Sequence, residues 1–318
     1  MSGRKVTAFA PASVGNIGPG LDILGLAVEG PGDTVVAEWI ETPGLTVLEP
    51  GHPELPREAD RHTSALAVRG VLEKIGPSTL RGRGIGLSVR KGLPLSGGQG
   101  GSAASAVAGA VAVNALLGAP LDPLALIDAC LAAEEAVAGR HVDNIAPSML
   151  GGIILIRAMD PLDLIRLPVP EELHVVLVRP DQRMRTAEAR AVLPHEVSRA
   201  VALHQAAHVA AMVAALALGD YALLARAVDD RIAEPARAGL LPGFPEAKAA
   251  ALEAGALGSS ISGSGPTVFA LARGRDAAER VGRAMRQAYA ARGLSSDVLV
   301  GRVDQAGARV IDDTGGAR

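Results

Sequence analysis

The stretch Gly92-Leu-Pro-Leu-Ser-Gly-Gly-Gln-Gly-Gly-Ser-Ala-Ala-Ser-Ala-Val-Ala108 is a glycine cluster that runs directly into an alanine-rich segment. Glycines accept positive φ angles and let the backbone approach a ligand without a Cβ in the way. A helix that opens at Ser102 presents free N–H groups and the positive end of its dipole, which favour an anion. The stretch predicts a phosphate-holding loop, and the alternative is a tightly turned surface loop with a glycine-rich helix cap.

The loop lacks the two commonest nucleotide-binding patterns. No lysine follows its glycines, as Gly-x-x-x-x-Gly-Lys-Ser/Thr requires, and its spacing does not match Gly-x-Gly-x-x-Gly after a first strand. P-loop NTPases and dinucleotide-binding folds are therefore disfavoured. The segment Ile85–Arg90 alternates apolar and polar residues, so the loop joins a predicted strand to a predicted helix.

Composition narrows the function classes. A chain of 318 residues is long enough for two domains. Aromatic residues make up only 2% of the chain, so base stacking on nucleic acid is disfavoured. The formal net charge of −3 provides no basic surface for nucleic acid or an anionic membrane. We expect small-molecule partners, no nucleic acid and no membrane.

The single cysteine and the apolar runs indicate the cellular compartment of the protein. Cys130 is the single cysteine and lies in an apolar pattern, which favours a buried structural thiol and fits a reducing cytoplasm. The apolar stretch near the N-terminus stops at Pro11, short of a signal peptide. Ala106–Leu117 and Val209–Leu218 are shorter than the ~20 residues that cross a bilayer, which predicts core helices and a cytoplasmic protein.

Strand and helix patterns alternate along the whole chain. Strands are predicted at 6–10, 34–40, 85–90, 151–157, 174–179, 258–262, 267–271 and 298–303, and helices at 102–118, 123–139, 196–218, 220–232, 246–254 and 276–291. This order indicates an α+β sandwich in each half. The proline-marked connection 161–170 sets the predicted boundary, with domains at 1–165 and 166–313 and a loose tail at 314–318.

Three further segments concentrate polar side chains among glycines and prolines. Ala10–Gly25 carries Asn16 and Asp22, and Gly258–Pro266 is a second glycine-serine turn between predicted strands. Between them, Glu134 and the run His141-Val142-Asp143-Asn144 bracket a short loop. We expect these loops and the glycine loop to converge on one cleft.

Together the segments resemble the kinase superfamily of galactokinase, homoserine kinase, mevalonate kinase and phosphomevalonate kinase (GHMP), whose three signatures occur in this order. The strings Pro-Ala-Ser-x-x-Asn-x-Gly-Pro-Gly-x-Asp-x-Leu-Gly-Leu-Ala from Pro11 and His-x-Asp-Asn-Ile-Ala-Pro-x-Met-Leu-Gly-Gly from His141 are most similar to those of homoserine kinases. So is Glu234-Pro-Ala-Arg237 followed by Leu241-Pro-Gly243. The resemblance covers nearly the whole chain.

The resemblance implies a two-domain α+β fold, with a ribosomal-S5-domain-2-like N-terminal domain and a ferredoxin-like C-terminal α/β sandwich. It implies ATP-dependent phosphorylation of the side-chain hydroxyl of L-homoserine, an early step of threonine biosynthesis. ATP would be the co-substrate, Mg²⁺ the cofactor, and a homodimer the family's expectation.

The resemblance also implies roles for individual residues. Ser102 and Glu134 would hold Mg²⁺ as hard oxygen ligands. Asn16, Asp22 and Asp143 would take the amino end and reacting hydroxyl of the substrate, with His141 beside them, and Arg237 would take its carboxylate. Thr186 and Arg190 would lie near the transferring phosphate, and Asn144 stands where related kinases place a basic aspartate. ATP would be bound by Pro94, Leu95, Ser96, Gly97, Gly98, Gln99, Gly100, Gly101, Ser102, Ala103 and Ala104.

Each of these residues also has a purely structural interpretation. Asp22 and Asn16 are residue types that satisfy backbone groups in Gly-Pro loops. Either Glu134 or its neighbour Glu135 is a solvated helix end, and the spacing to His141 selects Glu134. Thr186 and Arg190 fit an exposed helix face, His141 an internal hydrogen-bond donor, and Arg237 a surface pair with Glu234.

The glycine loop departs from the superfamily's Gly-Leu-Gly-Ser-Ser-Ala-Ala at two positions. Gln99 replaces an apolar residue, and Gly101 replaces the first of two serines. These changes leave open a homologue that binds nucleotide or amino acid without turnover. A third hypothesis keeps the enzyme class but changes the acceptor to another small alcohol such as mevalonate or a sugar. Residues 62–66 are a candidate for part of the purine pocket.

Overall fold

The computed structural model describes residues 3–136 and 139–315 and contains two β-sheets covered by helices. The strands are β1 (Lys5–Gly15), β2 (Leu24–Ile40), β3 (Gly44–Glu49), β4 (Gly84–Arg90), β5 (Ile153–Met159), β6 (Leu162–Leu167), β7 (Leu173–Pro180), β8 (Gly258–Ile261), β9 (Val268–Arg273), β10 (Ser296–Arg302) and β11 (Arg309–Asp313). The helices are α1 (Thr63–Ile75), α2 (Gly101–Leu116), α3 (Pro123–Glu135), α4 (Ile145–Leu150), α5 (Thr186–Ala191), α6 (Arg199–Leu218), α7 (Tyr221–Ala227), α8 (Ala233–Ala238), α9 (Phe244–Glu253) and α10 (Arg275–Ala291).

The first sheet has the order β11-β1-β2-β4-β3, and β5 extends it by pairing with β2 and β6. Helix α2 packs on β1 and β2 and is surrounded by α1, α3 and α4. Twelve of its residues are buried, most of them alanine, glycine or valine. Because its side chains are small, neighbouring backbones approach closely, and the prediction that Ala106–Leu117 is a core helix is confirmed.

The second sheet has the order β10-β7-β9-β8 and is antiparallel throughout. Helices α9 and α10 pack against it. Phe244, Met285 and Tyr289 are buried between the helices and the strands. The apolar stripe of α10 thus supplies the core of this layer, while its other face is charged.

Two segments differ from the predicted secondary structure. The connection 161–170 contains β6, which pairs with β5 and extends the first sheet. The helix predicted over 220–232 ends at Ala227, because Asp230 turns its carboxylate onto the amides that open α8. Helices α1, α4 and α8 and strands β3, β6 and β11 were not predicted.

The C-terminal strand crosses back to the first sheet. β11 pairs antiparallel with β1, so the last strand of the predicted 166–313 domain belongs to the sheet built by the first half of the chain. The amide of Thr314 donates to the carbonyl of Lys5, which ties down the start of the predicted loose tail. Residues 316–318 lie outside the described part.

Helix α6 corrects the expectation for Val209–Leu218. The helix begins at Arg199, and its 20 residues are long and apolar enough to cross a membrane by length and composition. Only 22% of that apolar window is buried, so it is not a core helix. It packs along α7 through one face, and Gln205 on that face bonds to the loop after β1.

Candidate active site

A cleft between the two sheets gathers most of the predicted site residues. It encloses about 1050 Å³ of empty space, counting its solvent-open mouth. The predicted residues that line it are Asn16, Pro94, Leu95, Ser96, Gly97, Gly98, Gly100, Gly101, Ser102, Ala103, Glu134, Asp143, Asn144, Thr186, Arg190 and Arg237. Gln99 and Ala104 are buried and do not line it, and Asp22 and His141 are absent from its lining.

The glycine loop follows β4 and opens α2, as predicted. Gly98 and Gly100 have φ angles of 71° and 68°. A Cβ on Gly98 would meet the backbone of Gly265 at 2.7 Å, and one on Gly100 would meet Ser13 Oγ at 2.0 Å. Among residues 3–136 and 139–315, no side chain caps α2 at Gly100, which leaves its first amides to a ligand.

Donors from other segments bind the loop carbonyls. Thr267 Oγ1 donates to the carbonyl of Gly97, and Ser262 Oγ donates to that of Gly98. The amide of Ser13 donates to the carbonyl of Gln99 at 3.1 Å. Because three consecutive carbonyl oxygens are engaged, the loop repels an anion less than a free loop would. The side chain of Gln99 packs beneath the loop, with Nε2 3.4 Å from Thr267 Oγ1.

A buried ion pair under the loop was missed by the sequence reasoning. Lys91 Nζ donates to Asp33, to the carbonyl of Gly101 at 2.9 Å and to Ser105 Oγ at 2.9 Å. Asp33 is fully buried and also accepts from the amides of Gly92 and Leu93. The pair therefore joins the start of the loop to the first turn of α2. The available signal was a lysine directly before the first glycine.

Three carboxyl groups form an acidic cluster at the cleft. Burial, with the charge of Asp143 and Asp22, raises the pKa of Glu134 to about 8. Burial, with the charge of Asp22, raises the pKa of Asp143 to about 7. Glu134 lies at the end of α3, whose start is capped as predicted by Asp122, and Asp143 directly precedes α4. A divalent cation would relieve the repulsion between these carboxylates, whose oxygen atoms are hard ligands, and Ser102 lines the same cleft.

Thr186 and Arg190 lie on one face of α5 and both line the cleft. Arg190 donates to both carboxylate oxygens of Asp22, at 2.9 and 2.6 Å. Burial favours the protonated carboxyl of Asp22, but the bonds and charge of Arg190 outweigh it and lower the pKa below its usual value. Arg190 and Asp22 thus contact one another, a pairing that the sequence reasoning did not predict.

Arg237 does not form the surface pair that was considered for it. It is 2% exposed and donates to the carbonyls of Ala189 and Gly263, whereas Glu234 pairs with Lys248. Burial, with the charge of Arg190, lowers the pKa of Arg237. A buried guanidinium at a cleft wall, bonded only to neutral carbonyls among the described residues, suits an anionic ligand group.

The asparagines hold the substrate-side loops in place. Asn16 has a φ of 72° and accepts from the amide of Asp22, while its Nδ2 donates to the carbonyl of Gly263. Asn144 accepts from Ser13 Oγ at 2.9 Å. The structural interpretation of Asn16 is therefore correct, and both side chains also line the cleft.

His141 lies within 4.8 Å of Asp22 and Asp143, measured between side-chain ligand atoms. It is 6% exposed, and its Nδ1 has no hydrogen-bond partner among the described residues. Burial, with the charge of Arg190, lowers the pKa of His141.

The mouth of the cleft contains part of the candidate purine segment. His62 and Thr63 line it together with Leu55, Pro56 and Arg61. Ser64 instead donates to the carbonyl of Ser105 in the core, and Leu66 is absent from the lining. The residues 55–61 were missed because they lie in an irregular loop without a motif.

Two family models match the chain: "GHMP kinases N terminal domain" over residues 63–152 and "GHMP kinases C terminal" over 212–291. The homoserine kinase of Chlorobium phaeobacteroides is 42% identical over 97% of this chain and 100% of that protein. The homoserine kinase of Arabidopsis thaliana is 40% identical over 97% of this chain and 85% of that protein.

The fold leads to the same family. The crystal structure of homoserine kinase from Cytophaga hutchinsonii matches with a TM-score of 0.90 and 39% identity, covering 96% of this chain and 97% of that one. The predicted α+β two-domain fold is thereby confirmed. With such identity along nearly the whole chain and the same arrangement of both domains, this protein belongs to the homoserine kinases of the GHMP kinase family.

Proposed function

We propose that this chain transfers the γ-phosphoryl group of ATP to the side-chain hydroxyl of L-homoserine, giving O-phospho-L-homoserine for threonine biosynthesis. The observation that carries the proposal is the meeting, in one cleft, of an anion-binding loop, an acidic cluster and a buried arginine. Full-length relatives with 39–42% identity are named homoserine kinases, which supports the same activity.

ATP is placed with its phosphates against the glycine loop and the N-terminus of α2. Free amides and the helix dipole stabilise the phosphate charge there. Glu134 and Ser102 would hold Mg²⁺, which when bound neutralises charge on the phosphates. The base would lie near Leu55, Pro56 and His62 at the mouth, against aliphatic side chains and backbone.

Homoserine has charges of opposite sign on its two amino-acid groups, and the cleft offers both complements. Arg237 would bind the carboxylate, and Asp143 with Asp22 would bind the ammonium group. His141 lies beside both acids, its Nδ1 without a hydrogen-bond partner in the described part of the chain, and Asn16 orients the loop that carries Asp22. The hydroxyl would then be directed towards the glycine loop.

Phosphoryl transfer requires positioning and charge stabilisation more than covalent help. We place Arg190 and Thr186 beside the transferring group, because α5 turns both towards the cleft. Asn144 stands close to Gly100 and has no basic atom, so the hydroxyl proton would leave late, to solvent or to the phosphate itself. In this scheme no residue acts as a strong base.

A coupled assay of ADP release with purified protein and Mg-ATP tests the proposal. We expect release to depend on L-homoserine and to be nearly abolished with aminopropanol, which lacks the carboxylate, and with γ-hydroxybutyrate, which lacks the ammonium group. Activity with mevalonate or a sugar instead would favour another GHMP acceptor. ATP binding without release for any alcohol would make the chain a non-catalytic homologue.

Two broader expectations accompany the function. We place the enzyme in the cytoplasm, where its buried single thiol, Cys130, stays reduced. A homodimer is expected from the family, and sedimentation velocity at micromolar protein concentration tests this expectation.

A further inference from the structure

A second group of metal-ligating side chains lies outside the cleft, on α6 and the segment after α7. His204 and His208 are four residues apart on α6, so their rings lie on one face of the helix. The rings stack with centroids 3.8 Å apart, and both face Asp229. The three ligand atoms lie within 4.8 Å of one another.

Hydrogen bonding sets the tautomer of His208. Its Nδ1 lies 2.8 Å from the carbonyl oxygen of His204, which can only accept, so Nδ1 carries the proton. The lone pair is therefore on Nε2, which points to Asp229 at 4.0 Å. A carbonyl that orients an imidazole in this way is the usual outer support of a metal-binding histidine.

His204 has an unused nitrogen at the same place. Its Nε2 is buried and lies 3.0 Å from Asp229 Oδ2, but is not aligned for a hydrogen bond with any described group. A buried polar nitrogen without an aligned partner is uncommon in folded proteins. A cation between the two histidines and the carboxylate would satisfy it.

Asp229 is available to bind a metal ion, because the structural hydrogen bonds of this segment are made by its neighbour Asp230. Asp230 is buried and accepts from Gln205 and from the amides that open α8. Asp229 is 46% exposed, and Arg231 approaches it at 3.7 Å through a side chain that is 58% exposed. Water screens a pair of that kind, so a divalent cation can displace Arg231.

We propose that His204, His208 and Asp229 bind one divalent transition-metal ion, and that this ion is Zn²⁺ in the cell. Two imidazole nitrogens and one carboxylate are ligands of borderline-soft ions, whereas Mg²⁺ prefers oxygen and is expected at the cleft. Tetrahedral ligand atoms at about 2.1 Å from Zn²⁺ are about 3.4 Å apart, so modest side-chain rotations close the site. Water occupies the fourth position.

The site would clamp α6 to the segment that precedes α8. Gln205, between the two histidines on α6, donates to the carbonyl of Pro19 in the loop that carries Asp22. Asp229 belongs to the segment that leads into α8, which carries Arg237. Metal binding therefore joins α6 to the segment 228–232 without touching the reacting groups.

The test is a calorimetric titration of tag-free, chelator-treated full-length protein with Zn²⁺ in excess Mg²⁺. We expect one Zn²⁺ per chain, a raised melting temperature, and visible absorption of tetrahedral Co²⁺ when Co²⁺ is the probe. His208→Asn and Asp229→Asn should each weaken binding more than about tenfold, the low end of what even outer-shell losses cost.

The matched control is His195→Asn, an exposed histidine outside the cluster, which should bind Zn²⁺ like the wild type. Circular dichroism in chelator shows that each variant is folded. The proposal is overturned if the wild type binds no Zn²⁺ under these conditions, or if either His208→Asn or Asp229→Asn binds it with unchanged affinity. These readouts do not depend on the kinase activity.

Discussion

Arg190 of α5 and Asp22 of the loop after β1 are 168 positions apart in the chain and form a two-bond ion pair at the cleft. Such parallel bonds fix the plane of the guanidinium as well as its position. Nε of Arg190 is buried and has no partner among the described residues. The pair therefore holds a cationic group in a fixed orientation at the site.

Replacing Arg190 should abolish most of the turnover. We expect Arg190→Ala to lower kcat by about 10³, the low end for an arginine that stabilises a transferring phosphoryl group, and Arg190→Lys to lower it less. Steady-state ADP release measures this. Arg185→Ala, an exposed arginine at the start of α5, is the control and should behave as wild type. Wild-type turnover in Arg190→Ala would remove Arg190 from the proposed mechanism.

The acidic cluster should make the metal-free protein less stable as pH rises. The folded-state pKa values of Glu134 and Asp143, about 8 and about 7, lie above their ordinary values of 4.5 and 3.8. Between these limits the folded state binds more protons than the unfolded state, so its stability is full at low pH and is lost as pH rises towards 8.

Urea unfolding in chelator at pH 6 and pH 8 checks this sign. Glu134→Gln should flatten the dependence, by up to about 1.4 kcal/mol per pH unit for one full proton. Glu135→Gln, at the exposed neighbouring position, is the control and should leave it unchanged. A wild-type protein that gains stability from pH 6 to pH 8 would contradict the prediction.

The glycine loop should tolerate a side chain at one glycine and not at another. A Cβ at Gly98 meets the Gly265 backbone at 2.7 Å in a left-handed conformation, whereas one at Gly101 meets its neighbours at 3.4 to 3.5 Å. We expect Gly98→Ala to cost more than about 1 kcal/mol and to raise the KM for ATP.

Gly101→Ser restores the residue that the superfamily has there. It should keep or slightly raise the melting temperature, because it reduces the entropy of the unfolded chain, and should lower the KM for ATP through the added hydroxyl. Thermal melts and ATP titrations of both variants decide the matter. Equal losses of melting temperature and of ATP affinity in Gly98→Ala and Gly101→Ser would contradict the loop geometry described above.

The buried ion pair beneath the loop should be costly to break. Asp33→Asn leaves the buried Lys91 without a counter-charge, so we expect a loss of about 3 to 5 kcal/mol in the free energy of unfolding and a raised KM for ATP. Asp163→Asn, which breaks an exposed pair with Arg157, should cost less than about 1 kcal/mol. A loss at Asp33 no larger than at Asp163 would exclude the supporting role.

Local signals were sufficient for the glycine loop, α2 and the capped start of α3. Gly98, Gly100 and Asp122 occupy positions where backbone angles or free amides demand those residue types. The same logic failed for β6 and β11, whose sequences are short and whose pairing partners are distant. It also failed for α6, where an apolar run suggested burial and the structure leaves most of the helix uncovered.

Function could be inferred from the chain because motifs of this kind are local: a glycine loop, a serine that opens a helix, and short strings around Asn16, Asp143 and Arg237. Which of these side chains meet was decided by the tertiary structure. The pairing of Arg190 with Asp22, the burial that raises the pKa of Glu134, and the Lys91–Asp33 support all depend on segments distant in sequence. The burial of these groups and the interactions between their charges depend on how the two sheets pack around the cleft, and no local pattern encodes them.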